Sequence, residues 1–371
     1  MKKINIVIDH SKIIYYHIYP ILVNKKELER NGIKLEFHDK LSEKLFDCDI
    51  LVLLSKPIFT LINEKKYIFD KNGLMISFLR KAREKVRKII WMDTADSTSS
   101  THFELLPYVD KYLKKQLFKD RYIYEKQFYG GRIFTDFYHH NHDISDSEPY
   151  PEISKLLPDF NDKIGLSWNI GLGDMFSAFG NNRKSIISGR YFNILKPKYN
   201  QSHFNIDNKD IDILLKTTAN LSRETVAFHR KELVNQLTRI SKKNKLFSVI
   251  QGKRISDKEF KEVMKRTKIF PSPFGWGEIG VRDYESFIYC GVLLKPSLKH
   301  MLTWPNIFIE GETYVSFNWD YSDLEEKIQG LLADKNYMDF VALNGQKTYL
   351  KSISPEGMRK FCKRFIDIVV N

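Results

Sequence analysis

The chain has little cysteine. Only Cys48, Cys290 and Cys362 occur in 371 residues, and they lie far apart. No Cys-x-x-Cys pair or Cys/His set has zinc-finger spacing, and a disulfide framework is excluded as the basis of the fold. This usage fits a reducing cytosol, so a cytoplasmic protein is expected. Long apolar runs are also missing: no stretch approaches the roughly 18 residues of a membrane-spanning helix. The opening MKKINIVIDH has a short apolar core and reads as a first β-strand, not a signal peptide. There is no Walker loop, no dinucleotide fingerprint, no internal repeat and no low-complexity segment.

What is abundant is positive charge and aromatic surface. The formal net charge is +14, with 26 Phe, 19 Tyr and 5 Trp. Such a charge favours anionic partners: phosphorylated small molecules, acidic lipid headgroups or nucleic acid. The lysines are dispersed, and no block of about five like charges marks a nucleic-acid tail. Nucleic acid is therefore not the expected partner. Lys111, Lys114, Lys115, Lys119 and Arg121, interleaved with Tyr112 and Phe118, form a basic stretch. It reads either as solvated surface or as a peripheral contact to an anionic membrane surface or acidic acceptor. His139, His140 and His142 cluster in a polar stretch without cysteine partners and read as surface histidines.

The length predicts about two domains. Strand-length apolar runs at Ile4–Ile8, Ile33–Phe37, Ile50–Leu54 and Lys88–Met92 alternate with helical stretches. One of these is Leu74–Arg87, with Leu74, Phe78, Leu79 and Ala82 on one face. Lys163–Trp168 reads as a late strand of the same series. After a polar stretch over 180–210 a second series begins. Its strands are Ile211–Lys216, Leu246–Ile250, Lys268–Phe270, Val292–Lys295 and Thr313–Phe317. Its helices are Arg223–Ile240, Ser256–Arg266, Val281–Cys290, Asp323–Leu332 and Ser354–Val370. Alternating strands and helices imply parallel sheets, here two doubly wound α/β halves. Ligands bind such sheets at the carboxyl ends of their strands.

The most informative stretch is PSPFGWGEIGVRDYESFIYCG, residues 271–291. Gly275, Gly277 and Gly280 lie between a strand and a helix, where glycine permits positive φ and close backbone approach. The helix start offers free N–H groups and the positive end of a dipole to a diphosphate. Glu285, inside the helix, suits two ribose hydroxyls, and Glu278 suits the transferred group. The alternative is a structural turn with two solvated glutamates.

The order Pro-Phe-Gly-x-Gly-Glu, then Glu-x-x-x-x-Cys-Gly, a strand and Lys-Pro resembles the donor-binding segment of GT-B glycosyltransferases. It is most similar to the retaining group-1 family that uses nucleotide sugars. The resemblance covers about 60 residues, Lys261 to Asp320. In that family the two glutamates stand eight positions apart; here Glu278 and Glu285 are seven apart, which suggests a divergent branch, like those of bacterial surface-polysaccharide and lipopolysaccharide clusters. The resemblance implies α/β GT-B architecture: two Rossmann-like domains facing a central cleft. Residues 1–180 would bind the acceptor and 181–350 the nucleotide sugar, with 351–371 a helix crossing back to the first domain.

It further implies a metal-independent transferase with no cofactor beyond its nucleotide-diphosphate sugar. The acceptor would be a hydroxyl of a glycan or lipid-linked glycan. Basic residues would neutralise the leaving diphosphate, and Lys216, Arg223, Arg230 and Arg254 are candidates. Arg223 and Arg230 read equally as a solvated helix face. The family's histidine after an N-domain strand is missing: Asp93 and Asp96 stand there, with His102 later. They either act on the acceptor hydroxyl or cap the next helix. His10, after the first strand, reads as a cleft or turn residue. Gly171 and Gly173 either contact donor phosphate or form a turn. The competing readings are a basic nucleic-acid-binding protein and a non-catalytic sugar-nucleotide or glycan-binding protein on the same fold.

Overall fold

The computed structural model describes residues 1–63, 73–148, 150, 153–172, 204–218, 221–250 and 256–371. The first half contains β1 (Lys2–Val7), α1 (Lys12–Val23), α2 (Lys25–Arg30), β2 (Ile33–His38), β3 (Ile50–Leu54), α3 (Ser55–Asn63) and α4 (Leu74–Lys85). It continues through β4 (Lys88–Asp93), β5 (Lys111–Lys114), β6 (Gln116–Phe118), α5 (Ile133–His142) and β7 (Ile164–Leu166). Its main sheet has the order β2-β1-β3-β4-β5-β7, and every pairing is parallel. The run Ile-Leu-Val-Leu-Leu of β3 is buried throughout, as a central parallel strand covered on both faces requires.

The second half contains β8 (Ile211–Leu215), α6 (Glu224–Lys243), β9 (Ser248–Ile250), α7 (Asp257–Lys265), β10 (Thr267–Pro271) and α8 (Val281–Ile288). Then come β11 (Val292–Pro296), β12 (Met301–Thr303), β13 (Tyr314–Phe317), α9 (Leu324–Ala333), α10 (Lys335–Ile353) and α11 (Pro355–Phe365). Its sheet has the order β13-β11-β10-β8-β9, again parallel. Both doubly wound halves expected from the sequence are therefore present. The expected boundary near 180, with Gly173, lies outside the described residues, as does Arg254.

Local chemistry sets the helix ends. Ser256 and Glu259 form a reciprocal capping box on α7. Ser354 caps α11 with Pro355 at its first position, so the proposed Ser354–Val370 helix starts where its sequence indicated. It ends earlier than proposed: Ile366–Val370 is a π-helical turn. On α4 the buried stripe is Met75, Leu79 and Ala82; Leu74 is exposed instead of inward.

The halves are sutured to each other. β6 pairs antiparallel with β12, joining Gln116–Phe118 to Met301–Thr303. Arg132 Nε donates to Trp276 O at 2.9 Å, and Tyr138 Oη to Trp319 O at 2.9 Å. From α11, Arg364 Nε donates to Ser167 O at 3.0 Å, while Phe361 and Phe365 pack on Trp168. Thus the last helix lies against the first half. Gly171 belongs to the same seam. A Cβ there would lie 2.4 Å from the Tyr284 ring, and Tyr349 Oη donates to its carbonyl at 2.8 Å. That glycine serves close packing and not a phosphate.

Candidate functional site

The loop after β10 brings the carboxyl edges of the two sheets together. Gly277 is pressed on the loop that follows β4: a Cβ would meet the Asp96 carbonyl oxygen at 1.9 Å. Gly275 N–H donates to Gly277 O at 2.8 Å, closing a tight turn. A Cβ on Gly275 would stand 2.9 Å from Arg230 Nη2, whereas one on Gly280 would meet nothing within 4 Å. None of the three uses positive φ. At Gly275 and Gly277 the lack of a side chain matters for space, which corrects the expectation of left-handed backbone here.

A cleft of about 220 Å³ opens beside this loop. Leu214, Lys216 and Thr217 at the end of β8, Ser272, Gly275 and Gly280 of the loop, and Arg230 on α6 line it, with Phe260, Arg282 and Glu285 opposite. Arg230 braces the walls, donating from Nε to Phe274 O at 2.9 Å and from Nη1 to Thr218 O at 2.8 Å. Lys216 Nζ sits 4.2 Å above the Phe260 ring and Arg282 Cζ 4.8 Å from it. Arg282 also pairs with Glu285 one turn on. Lys216, Arg230, Glu285, Gly275 and Gly280 are thus brought together, at a helix start and a sheet's carboxyl edge.

Behind the cleft lies a group that sequence reasoning missed. Asp283, fully buried, accepts from Gly280 N–H at 2.9 Å and from the Ser272 hydroxyl, and pairs with Lys295 at 3.1 Å. Lys295 is itself fully buried, and burial lowers its pKa. The pair fixes the start of α8 against the ends of β10 and β11. Its sequence signal is an Asp three residues past Gly280 and a Lys closing an apolar strand.

The other candidates are placed differently. Glu278 is buried away from the cleft and bridges the halves. It accepts from Ser97 Oγ at 3.0 Å, Thr98 N at 2.9 Å and Gln116 Nε2 at 2.6 Å. His300 Nε2 is 4.0 Å away, beyond hydrogen-bonding range. Burial alone would raise the Glu278 pKa; the attraction of His300 and the Thr98 N–H outweigh it, leaving the carboxyl below its ordinary value. Buried and tied to three donors of the first half, Glu278 positions loops and does not face the transferred group.

Asp93 is also sealed. It accepts from Tyr112 Oη at 2.6 Å, Lys114 Nζ at 2.9 Å and Ala95 N at 2.8 Å. No acceptor hydroxyl reaches a carboxylate only 1% exposed, so Asp93 is a structural anchor and not catalytic. Burial opposes its ionisation, but Lys114 and its other partners win and hold its pKa below the usual value. Asp96 does reach solvent, with its side chain 34% exposed, and contacts Lys56 at 3.1 Å and Lys115 at 3.7 Å. Burial raises its pKa, but the two lysines outweigh this and bring it down to about 2.

Arg223 leaves the cleft. It pairs with Asp146 at 3.0 Å and covers the Tyr150 ring, tying the start of α6 to the first half. His102 is core, packed on Phe59 and Trp91. His10 pairs with Asp39 at 2.9 Å. His139, His140 and His142 form the last turn of α5, and His139 stacks on Tyr129. Lys114 and Lys115 are buried, which corrects their reading as solvated surface. Among the described residues no His/Cys/Asp/Glu group is arranged to hold a metal, and no helix is long and apolar enough to cross a membrane.

No protein-family model matches the chain, and no curated protein matches it. Among solved structures it is similar to Anabaena Alr3699/HepE in complex with UDP. Identity is 10%, the TM-score 0.47, and all of both chains is covered. A glycosyltransferase from Rickettsia africae aligns at 11% identity and TM-score 0.46, covering 100% of this chain and 99% of that one. An alpha-glucosyltransferase in complex with UDP and a 13-mer DNA containing a HMU base aligns at 11% identity and TM-score 0.43 over the whole of both chains.

Proposed function

We propose that the protein is a glycosyltransferase that moves a sugar from a nucleotide-diphosphate donor to a hydroxyl of a glycan or lipid-linked acceptor. The observation that carries this is the cleft at the second sheet's carboxyl edge. It puts Arg230 and Lys216, a glycine turn, the start of α8 and Glu285 around one space of about 220 Å³. Cations and helix N–H groups suit a diphosphate, and a carboxylate one turn into the helix suits ribose hydroxyls.

In this reading Arg230 and Lys216 stabilise charge that develops on the departing diphosphate. Glu285 orients the ribose, and Gly275 and Gly280 let the phosphates approach the backbone. Gly277 and Glu278 hold the donor loop against the first half, so that the acceptor meets the donor in register. The chemistry is metal-independent and retains configuration, with donor phosphate taking the acceptor proton. Two placements support retention over an inverting base: Asp93 and Glu278 are buried and saturated. Asp96, at a pKa of about 2, is a weak base at neutral pH and acts by positioning charge. A role in bacterial surface-polysaccharide synthesis fits an acceptor of this type.

The test is turnover. A panel of UDP-, GDP-, ADP- and dTDP-sugars is incubated with the protein and release of nucleoside diphosphate is followed. One donor is expected to be consumed, with Arg230→Ala slowing release at least tenfold. Binding of a nucleotide sugar without any consumption across acceptors would leave a binding protein, not an enzyme.

A further inference from the structure

Three neighbouring strands of the first sheet, β3, β4 and β5, end in charge at their carboxyl edge. Lys56 follows β3, Asp96 follows β4 and Lys115 follows β5. This edge faces the glycine loop, because Gly277 packs on the Asp96 backbone. Ligands of parallel sheets gather at such edges.

Lys115 is the odd member. Its neighbour Lys114 is fully satisfied, donating to Asp93 at 2.9 Å and to Ser100 O at 2.8 Å. Lys115 is almost as deeply buried, 4% exposed, yet its nearest acid is Asp96 Oδ1 at 3.7 Å, too far for a hydrogen bond. The other Asp96 oxygen is taken by Lys56 at 3.1 Å. No hydrogen-bond acceptor engages the Lys115 ammonium among the described residues. An ammonium has three donors, and here none of them meets an acceptor among the described residues. Burial accordingly pulls its pKa down to about 8, against the opposing pull of Asp96.

A second negative charge comes from Glu278, which attracts Lys115; its three donors, Ser97, Thr98 and Gln116, are neutral and leave that charge in place. His17, buried close by, is held neutral by burial. Arg132 adds a further positive charge from the α5 side. Lys56, Lys115 and Arg132 against Asp96 and Glu278 therefore leave one excess cation next to solvent-reaching groups; Lys56 is 21% and Asp96 34% exposed at the side chain. The cavity of about 380 Å³ at the other end of the second sheet is different. Its lysines are already met: Lys209 by two carbonyls, Lys268 by Asp212 and Lys335 by Asp339.

We infer that Lys56, Asp96 and Lys115 form an oxyanion site on the first half's wall, which takes a phosphate or carboxylate group of the substrate. Lys115 donates to the oxyanion, Lys56 adds the second charge, and Asp96 holds the two ammonium groups in place. The assignment of that oxyanion to a substrate rests on the glycosyltransferase reading. Its two sources are the donor's diphosphate and an acidic group on the acceptor.

Wild type and Lys115→Met are titrated calorimetrically with inorganic pyrophosphate and, separately, with glucuronate; glucose is the neutral control. Loss of at least tenfold in pyrophosphate affinity on Lys115→Met identifies the donor's diphosphate as the source. The same loss for glucuronate identifies an acidic acceptor. Glucose binding stays unchanged in either case. Equal affinities of both proteins for both anions, or no binding of either anion by wild type at about 10 mM, overturns the site. Should Lys115→Met not fold, Lys56→Met, at a partly exposed position, is predicted to lose at least threefold in the same titrations, and no loss is again contrary. Nucleotide-dependent stabilisation is read separately, so failure of the transferase reading leaves these titrations interpretable.

Discussion

The carboxyl edges of the two sheets use one device and then diverge. Under each lies a buried Lys–Asp pair: Asp93 with Lys114 in the first half, Asp283 with Lys295 in the second. Each pair clamps the loops above it. Above Asp283–Lys295 the chain leaves an open cleft whose Arg230 is already braced by two carbonyls. Above Asp93–Lys114 it leaves Lys115, a cation without a hydrogen-bond acceptor among the described residues, beside the solvent-reaching Asp96 and Lys56. The difference teaches that burial and pairing mark scaffold. Function is to be sought one layer outward, where charge meets solvent or lacks a partner.

The largest expected effect breaks the shared device. Asp283→Asn keeps the shape but strands the Lys295 charge in the interior. Removing one partner of a buried pair costs about 3–5 kcal/mol. Urea unfolding of this variant should show that loss, whereas Glu285→Gln on the same helix should stay within about 0.5 kcal/mol. A comparable stability for both would mean that the buried pair is no clamp.

Next comes the seam between the edges. Gly277→Ala drives a methyl into the Asp96 backbone, at 1.9 Å from its carbonyl oxygen. Overpacking of this kind costs about 1–3 kcal/mol. Turnover should fall more than nucleotide affinity, since the cleft residues stay in place while the halves separate. A parallel fall in both would put Gly277 inside the donor site.

The smallest effect concerns pH. The folded pKa of Asp96 is about 2 against an ordinary 3.8, so ionised Asp96 favours the folded state. That contribution is complete above the ordinary value and is lost as pH falls towards about 2. The gap in melting temperature between wild type and Asp96→Asn should therefore close over this acid window. A gap that persists at pH about 2 would show that the two lysines do not hold Asp96 ionised.

The strands with uniform apolar runs were legible, as were the glycine loop and α8, because period and punctuation carry that information. β5 was not. Its sequence Lys-Tyr-Leu-Lys reads as basic surface, and only the Asp93 carboxylate explains how Lys114 is buried. That pairing is long-range and leaves no trace in local composition. For the same reason the sequence did not show that Glu278 turns away from the cleft, across the seam to Gln116, while Glu285 lines it. Arg223 and Arg230 divide in the same way, one bound to Asp146 and one to the cleft.

The central claim is that the cleft beside the glycine loop binds a nucleoside diphosphate through Glu285 and Arg230. It is tested most directly by thermal shift of wild type and Glu285→Ala across UDP, GDP, ADP and dTDP. One nucleotide at about 100 times its dissociation constant should stabilise wild type by about 2.7 kcal/mol. Glu285→Ala should lose most of that shift while its apo melting temperature stays put. An undiminished shift in Glu285→Ala, or no shift with any nucleotide in wild type, would contradict the account.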